Sequence, residues 1–148
     1  MNKAFVREPE LDGRAYCPRC GSLGVAVGAG PLDHHILPQH RAHLSDSAFF
    51  CDFARCEAVY FDHLERVVTV DQLKTPIYPK DPSAVICACF GFTLDEVEAD
   101  VAEGAPTRIR ALLAKSKTDA ARCGSLAVDG QCCMSKVQRL YMQGISKD

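Results

Sequence analysis

Nine of the 148 residues are cysteine, and they fall into two sets along the chain. In the first set, Cys17-Pro-Arg-Cys20 is a C-x2-C pair followed by Gly21, and Cys51 and Cys56 form a C-x4-C pair. A tight turn with glycine after the second cysteine lets backbone N–H groups point at the thiolates. Two such knuckles facing each other present four thiolates in a tetrahedron, the geometry of a structural Zn2+ site. A site of this kind staples together a unit too small to hold itself by its core alone. Reduced core cysteines and a redox C-x-x-C are the competing readings. The paired spacing argues against the first, and the lack of a βαβ pattern around Cys17 argues against the second.

The second set comprises Cys87, Cys89, Cys123, Cys132 and Cys133. Zinc knuckles favour two or more residues between ligands, whereas Cys87-Ala-Cys89 has one. C-x-C brings two thiolates close without closing a chelate turn, which suits two ligands on one iron of a cluster. Cys123 follows 34 residues later, and eight further residues lead to the vicinal pair Cys132-Cys133. Vicinal cysteines cannot easily both bind one iron, so one is a ligand and one is spare. Cys133 is the preferred ligand because a helix is expected to begin there, and helix N-terminal N–H groups stabilise a thiolate or an anionic cluster. Cys132 is the alternative. Neither the four-iron run nor the plant-type two-iron spacing is present. A second all-cysteine zinc site is the competing reading of this set.

Composition frames these sites. Apolar residues make up 47% and charged residues 24%, values of a globular chain. The net charge of −2 offers no basic field for a nucleic-acid backbone. Met1 to Glu10 is charged and has no apolar segment, so it does not read as a signal peptide, and no run is long enough to span a membrane. A cytoplasmic location is therefore expected, where clustered thiols stay reduced and bind metal. His34, His35, His40 and His43 lie between the two knuckles in Pro31 to Ser45. Pro31 and Pro38 argue against regular structure, so this stretch reads as a polar surface loop. Metal binding by the histidines, or one of them replacing a cysteine at the zinc, are the sharper options.

The elements expected to position these residues divide the chain near Asp81. Residues 1–81 read as β-rich, with short strands at Leu23–Val27, Ala48–Cys51, Ala58–Asp62 and Arg66–Val70. Residues 72–83, with three prolines, read as an extended linker. Residues 82–148 read as a strand at Ala84–Cys89 followed by helices. Thr93 and Glu96 form a capping box, and helices are expected from there, from near Pro106 and from near Cys133. The acidic residues Asp95, Glu96, Glu98, Asp100 and Glu103 and the basic residues Arg108, Arg110, Lys115, Lys117 and Arg122 read as solvated helix faces. The sharper idea is a basic face that steers a redox partner. The fold class is α+β: a small zinc-ribbon-like half and a small helical half.

The second half resembles the bacterioferritin-associated ferredoxin family in its C-x-C, its capped helix at Thr93 and its late cysteine before a helix. The ordered combination over nearly the whole chain resembles the N-terminal metal module of CopZ-type copper chaperones. It comprises Phe50-Cys51-x4-Cys56-Glu57-Ala58-Val59-Tyr60-Phe61, then Val85-Ile86-Cys87-Ala88-Cys89, then Cys123-x8-Cys132-Cys133. The resemblance implies zinc at Cys17, Cys20, Cys51 and Cys56. It also implies a [2Fe-2S] cluster at Cys87, Cys89, Cys123 and one of Cys132 and Cys133. Full-length members continue into a heavy-metal-associated domain with an M-x-C-x-x-C copper loop, which does not occur between Met1 and Asp148. The expectation is thus an electron-transfer protein of copper or heavy-metal homeostasis, working with a redox partner or a separate metal chaperone or transporter. Reduction of Cu(II) to Cu(I) for that chaperone is the specific role considered. No Ser/His/Asp arrangement, glycine-rich phosphate loop or HExxH motif occurs, so an ordinary enzyme is not expected. A direct soft-metal chaperone or sensor using the spare cysteine and the histidines, and a zinc-only interaction module, are the alternatives.

Overall fold

Short runs of Val, Phe, Tyr and Ala build a four-stranded antiparallel meander. In the computed structural model, which describes residues 14–118 and 120–146, the strands are β1 (Val25–Val27), β2 (Ala48–Phe50), β3 (Ala58–Phe61) and β4 (Val67–Thr69), in spatial order β1-β2-β3-β4. Val25 pairs with Phe50, Phe49 with Phe61, and Phe61 with Val67. The charged N-terminal stretch Met1–Glu10 lies outside the described residues.

Every residue of β2 and β3 is buried, because both faces of the sheet are covered. Side chains alternate across a strand, so neighbours serve different cores. Ala48, Phe50, Val59, Tyr60 and Val68 join Leu32, Ile36, Leu44, Leu73 and Ile77 in the larger core. Phe49, Ala58 and Phe61 turn the other way and pack with Ala15, Cys17, Cys51 and Cys56. A register shift between Ala58 and Tyr60 places Val59 and Tyr60 together in the larger core.

The histidine-rich stretch departs from the expected loop. It forms helices α1 (Ala29–His35) and α2 (Pro38–Arg41). Pro31 and Pro38 both sit in the first turn of their helix, where the missing N–H has no intrahelical acceptor to lose. The proline-rich 72–83 segment is likewise not an extended linker. Leu37 N–H donates to Gln72 O and Lys74 N–H to His35 O, and Leu73 and Ile77 are buried in the sheet's core. Leu73 precedes Pro76 and Ile77 lies between Pro76 and Pro79, and burying both outweighs the extended preference of the prolines.

The second part is helical. Helices α3 (Leu94–Glu103), α4 (Thr107–Ser116) and α6 (Met134–Ser146) pack around Ile86, Phe92, Val97, Ile109, Leu112, Met134 and Val137. A short helix α5 (Cys123–Leu126), not expected from the sequence, lies between α4 and α6. The capping box forms, with Thr93 N–H donating to Glu96 Oε1 at 3.1 Å. Gly104 ends α3 at φ 78°, a left-handed conformation that favours glycine. The strand expected at Ala84–Cys89 is absent. The chain turns tightly there, with Ile86 N–H and Gly91 N–H bonded to Phe92 O and Cys87 O and a single bridge between Cys87 and Phe92. Apolar residues there supply core contacts to the helices rather than a ladder.

Asp100, expected on a solvated face, is fully buried. Its carboxylate accepts from Arg108 N–H and Ile109 N–H at 3.2 and 2.9 Å and from the Arg108 guanidinium at 3.0 Å. It thereby caps the first turn of α4 from the preceding helix. Burial opposes its charge, but these hydrogen bonds outweigh burial and hold its pKa below the usual carboxylate range. Arg108 also pairs with Glu103, so it is not part of a free basic face.

Candidate metal centres

The first cysteine set converges. The sulfurs of Cys17, Cys20, Cys51 and Cys56 all lie within 4.8 Å of one another. The Cys17–Cys56 and Cys20–Cys51 separations are 3.9 and 3.6 Å. A Zn–S bond of about 2.3 Å puts the sulfurs of a regular tetrahedron about 3.8 Å apart, so the set fits one zinc ion. Local chemistry explains the shape. Gly21 turns the chain at φ 79°, its N–H bonds to Cys17 O, and Arg19 N–H reaches Cys17 Sγ at 3.4 Å. Cys51 closes β2 and Cys56 precedes β3, so the β2–β3 pairing holds the second knuckle.

The four sulfurs are not equivalent. Cys51 is fully buried, and burial above all pushes its thiol up to about 12. Cys20 sits at the surface beside Ser22 Oγ at 3.2 Å. Slight burial opposes its charge, but hydrogen bonding to Ser22 outweighs it and lowers the thiol to about 6. Lys80, which comes from the proline-rich segment, carries no signal in the sequence that marks it for this site. Its ammonium lies 3.6 Å from Cys51 Sγ and donates to Phe53 O and Cys56 O at 2.6 and 3.0 Å. It thus ties down the knuckle carbonyls and sets a positive charge against a buried sulfur.

No histidine joins this group. His34 and His43 are exposed, and His35 is buried with Nε2–H donating to Leu126 O at 2.7 Å. Among the described residues, the four histidines form no metal-ligand group.

The second set is arranged differently. Cys89 Sγ lies 3.9 Å from Cys123 Sγ, and Cys87 is hydrogen-bonded to Cys133. That bond lowers Cys87 to about 6 and raises the Cys133 thiol that donates it. Cys87 and Cys133 are buried, Cys89 and Cys123 are half-buried, and Cys132 is exposed. Arg122 N–H reaches Cys89 Sγ at 3.2 Å. Cys133 stands immediately before α6, where Val137 N–H bonds to its carbonyl. Among the described residues, only the first cysteine set gathers three or more ligand atoms as closely as a single ion requires. Cys87 is also hydrogen-bonded to Cys89, so the second set is a chain of sulfur contacts from Cys123 through Cys89 and Cys87 to Cys133 rather than one tight tetrahedron.

The first site falls within a stretch that is similar to a known zinc-binding family. Residues 14–74 match the zf_CopZ family model, described as a zinc binding domain. The X-ray structure of the Archaeoglobus fulgidus CopZ N-terminal domain superposes with a TM-score of 0.70 at 22% identity, covering 85% of this chain and 97% of that one. The likeness of fold therefore extends well past the zinc-binding residues into the helical part. No curated protein sequence matches the chain. Among the described residues, no helix is long and apolar enough to cross a membrane.

Proposed function

We propose that the chain is a two-centre redox protein of copper or heavy-metal handling. Residues 1–81 hold one structural zinc through Cys17, Cys20, Cys51 and Cys56. Residues 82–148 hold a [2Fe-2S] cluster through Cys87, Cys89, Cys123 and Cys133, with Cys132 spare. The carrying observation is the open arrangement of the second set, a chain of sulfur contacts from Cys123 through Cys89 and Cys87 to Cys133, which suits two metal atoms rather than one. The likeness to a CopZ N-terminal domain supports the link to copper.

When bound, such a cluster supplies one-electron chemistry. The chain's own residues set its terms. Arg122 N–H donates to Cys89 Sγ, a contact that stabilises thiolate charge. Half-buried Cys89 and Cys123 form the side facing solvent, where an electron can pass to a partner, while Cys87 and Cys133 anchor the inner side in the helical core. The acceptor in this reading is Cu(II), which takes one electron to become Cu(I) for a separate chaperone or transporter. A redox partner protein returns the electron. Reduced thiols at both centres suit the cytoplasm.

The single variants Cys132→Ser and Cys133→Ser test the ligand set. Cys133→Ser is expected to abolish the cluster's visible absorption and leave one zinc per chain, while Cys132→Ser keeps both. Loss of the cluster only in Cys132→Ser, or in neither variant, overturns the assignment of the fourth ligand, and a parent without the cluster's visible absorption overturns the cluster reading. A direct soft-metal chaperone is the second reading, favoured by the exposure of Cys132. It requires Cu(I) affinity to fall in Cys132→Ser.

A further inference from the structure

The segment from Cys123 to Cys133, which carries two of the proposed cluster ligands, lies against the sheet part of the molecule. Tyr60, in the middle of β3 and fully buried, donates its hydroxyl to Val128 O at 2.5 Å. His35, at the end of α1 and 6% exposed, donates Nε2–H to Leu126 O at 2.7 Å. Val128 packs against the larger sheet core. The backbones of α1 and α5 approach so closely at Gly30 that a Cβ there would meet Ser125 Cα at 2.9 Å. At the other end of the segment, buried Asp129 pairs with Lys136 of α6 at 2.6 Å, and the Lys136 ammonium stands 6.0 Å from the centre of the Phe50 ring of β2.

A loop bearing cluster ligands needs a fixed spacing between them, and its own backbone supplies little of it. The segment makes short-range turns, such as Ala127 N–H to Cys123 O, Gly130 N–H to Ala127 O and Leu126 N–H to Arg122 O. The long-range polar contacts on its carbonyls come from Tyr60 and His35, and the larger sheet core braces the β3 and α1 that carry them. An unsatisfied buried carbonyl is costly, so both bonds are strong constraints on where the loop sits.

We propose that Tyr60 and His35 are positioning residues for the cluster site, holding Val128 and Leu126 so that Cys123 and Cys133 face Cys89 and Cys87. The proposal rests on the cluster assignment above, and its test has one arm that does not. Tyr60→Phe, His35→Leu and His35→Gln are made in the full chain, loaded with zinc and reconstituted anaerobically with ferrous iron and sulfide. Tyr60→Phe and His35→Leu are expected to lose iron to a chelator about tenfold faster than the parent, the scale of one lost buried hydrogen bond. The electron paramagnetic resonance signal of the reduced cluster is expected to broaden in both, with one zinc retained. His35→Gln, which keeps an N–H donor, is expected to recover most of the parent rate. In the second arm, zinc-loaded but iron-free protein is treated with iodoacetamide. Cys133 is expected to react about tenfold faster in Tyr60→Phe than in the parent. Iron loss and Cys133 alkylation within twofold of the parent in both variants overturn the proposal. So does loss of zinc in both, which would mean that the sheet itself had failed. A parent that takes up no cluster removes the cluster assignment alone, and the alkylation arm then decides whether the loop is held as stated.

Discussion

Lys80 offers a quantitative test of the first centre. Its ammonium stands 3.6 Å from Cys51 Sγ. Two opposite unit charges at that distance attract by about 4–5 kcal/mol at an effective dielectric of 20 and by about 1 kcal/mol in bulk water. Lys80 is half-buried, so the pair lies between these limits, and desolvating the ammonium takes back part of the gain. A net contribution of about 1.4–2.8 kcal/mol follows, equivalent to about 10- to 100-fold in zinc affinity. The bonds to Phe53 O and Cys56 O act in the same direction by fixing the knuckle. Lys80→Met keeps most of the stem and removes the charge. Competition against a chromophoric zinc chelator at pH 7 is expected to show affinity weakened by that factor, with Lys80→Arg close to the parent. An affinity for Lys80→Met within twofold of the parent would refute the claim that this ammonium stabilises the thiolate set.

Three further outcomes are expected. Asp100→Asn should cost about 2–4 kcal/mol at pH 7 in denaturant unfolding, since it weakens a buried cap and charge-assisted bonds. Because the folded-state pKa of Asp100 is held below its unfolded value, its contribution is complete above about pH 4 and fades as pH falls through the folded value. The gap between parent and variant should therefore narrow near pH 3, and a gap independent of pH would count against the cap. In zinc-free protein near pH 7, Cys20 should be alkylated at least about tenfold faster than Cys51, given its surface position and lowered thiol pKa; equal rates measured by peptide mass mapping would contradict this. Arg110→Glu should leave stability within about 0.5 kcal/mol of the parent, as is usual for surface changes. Arg108→Glu should destabilise clearly by placing a carboxylate against buried Asp100, and equal melting temperatures for the two would contradict that pairing.

Much of the frame is legible in residue types and spacing. The four strands lie within the expected ranges, because β-branched and aromatic runs bounded by Gly, Asp and Pro leave few alternatives. The α3 start is legible from Thr93 and Glu96, whose reciprocal bonding is a local property. The C-x2-C and C-x4-C pairs do converge, because knuckle turns place sulfurs irrespective of the rest of the fold. Features set by long-range packing were not legible. Pro31 and Pro38 looked like breakers, but a proline in a first turn begins a helix as readily as it ends one. Asp100 looked like one more surface acid, since nothing local says that its carboxylate meets the start of α4 eight residues on. Lys80, Tyr60 and His35 act across separations of 24 to 91 residues, and no periodicity encodes such contacts.

The central claim is one zinc and one two-iron cluster on a single chain. It is tested most directly by the visible absorption spectrum of anaerobically purified protein, with iron, sulfide and zinc counted on the same sample. Four thiolates for each group require a brown protein with about two irons, two sulfides and one zinc per chain. A colourless protein with two zincs and no sulfide, unchanged after anaerobic reconstitution, would contradict it and leave a zinc-only module.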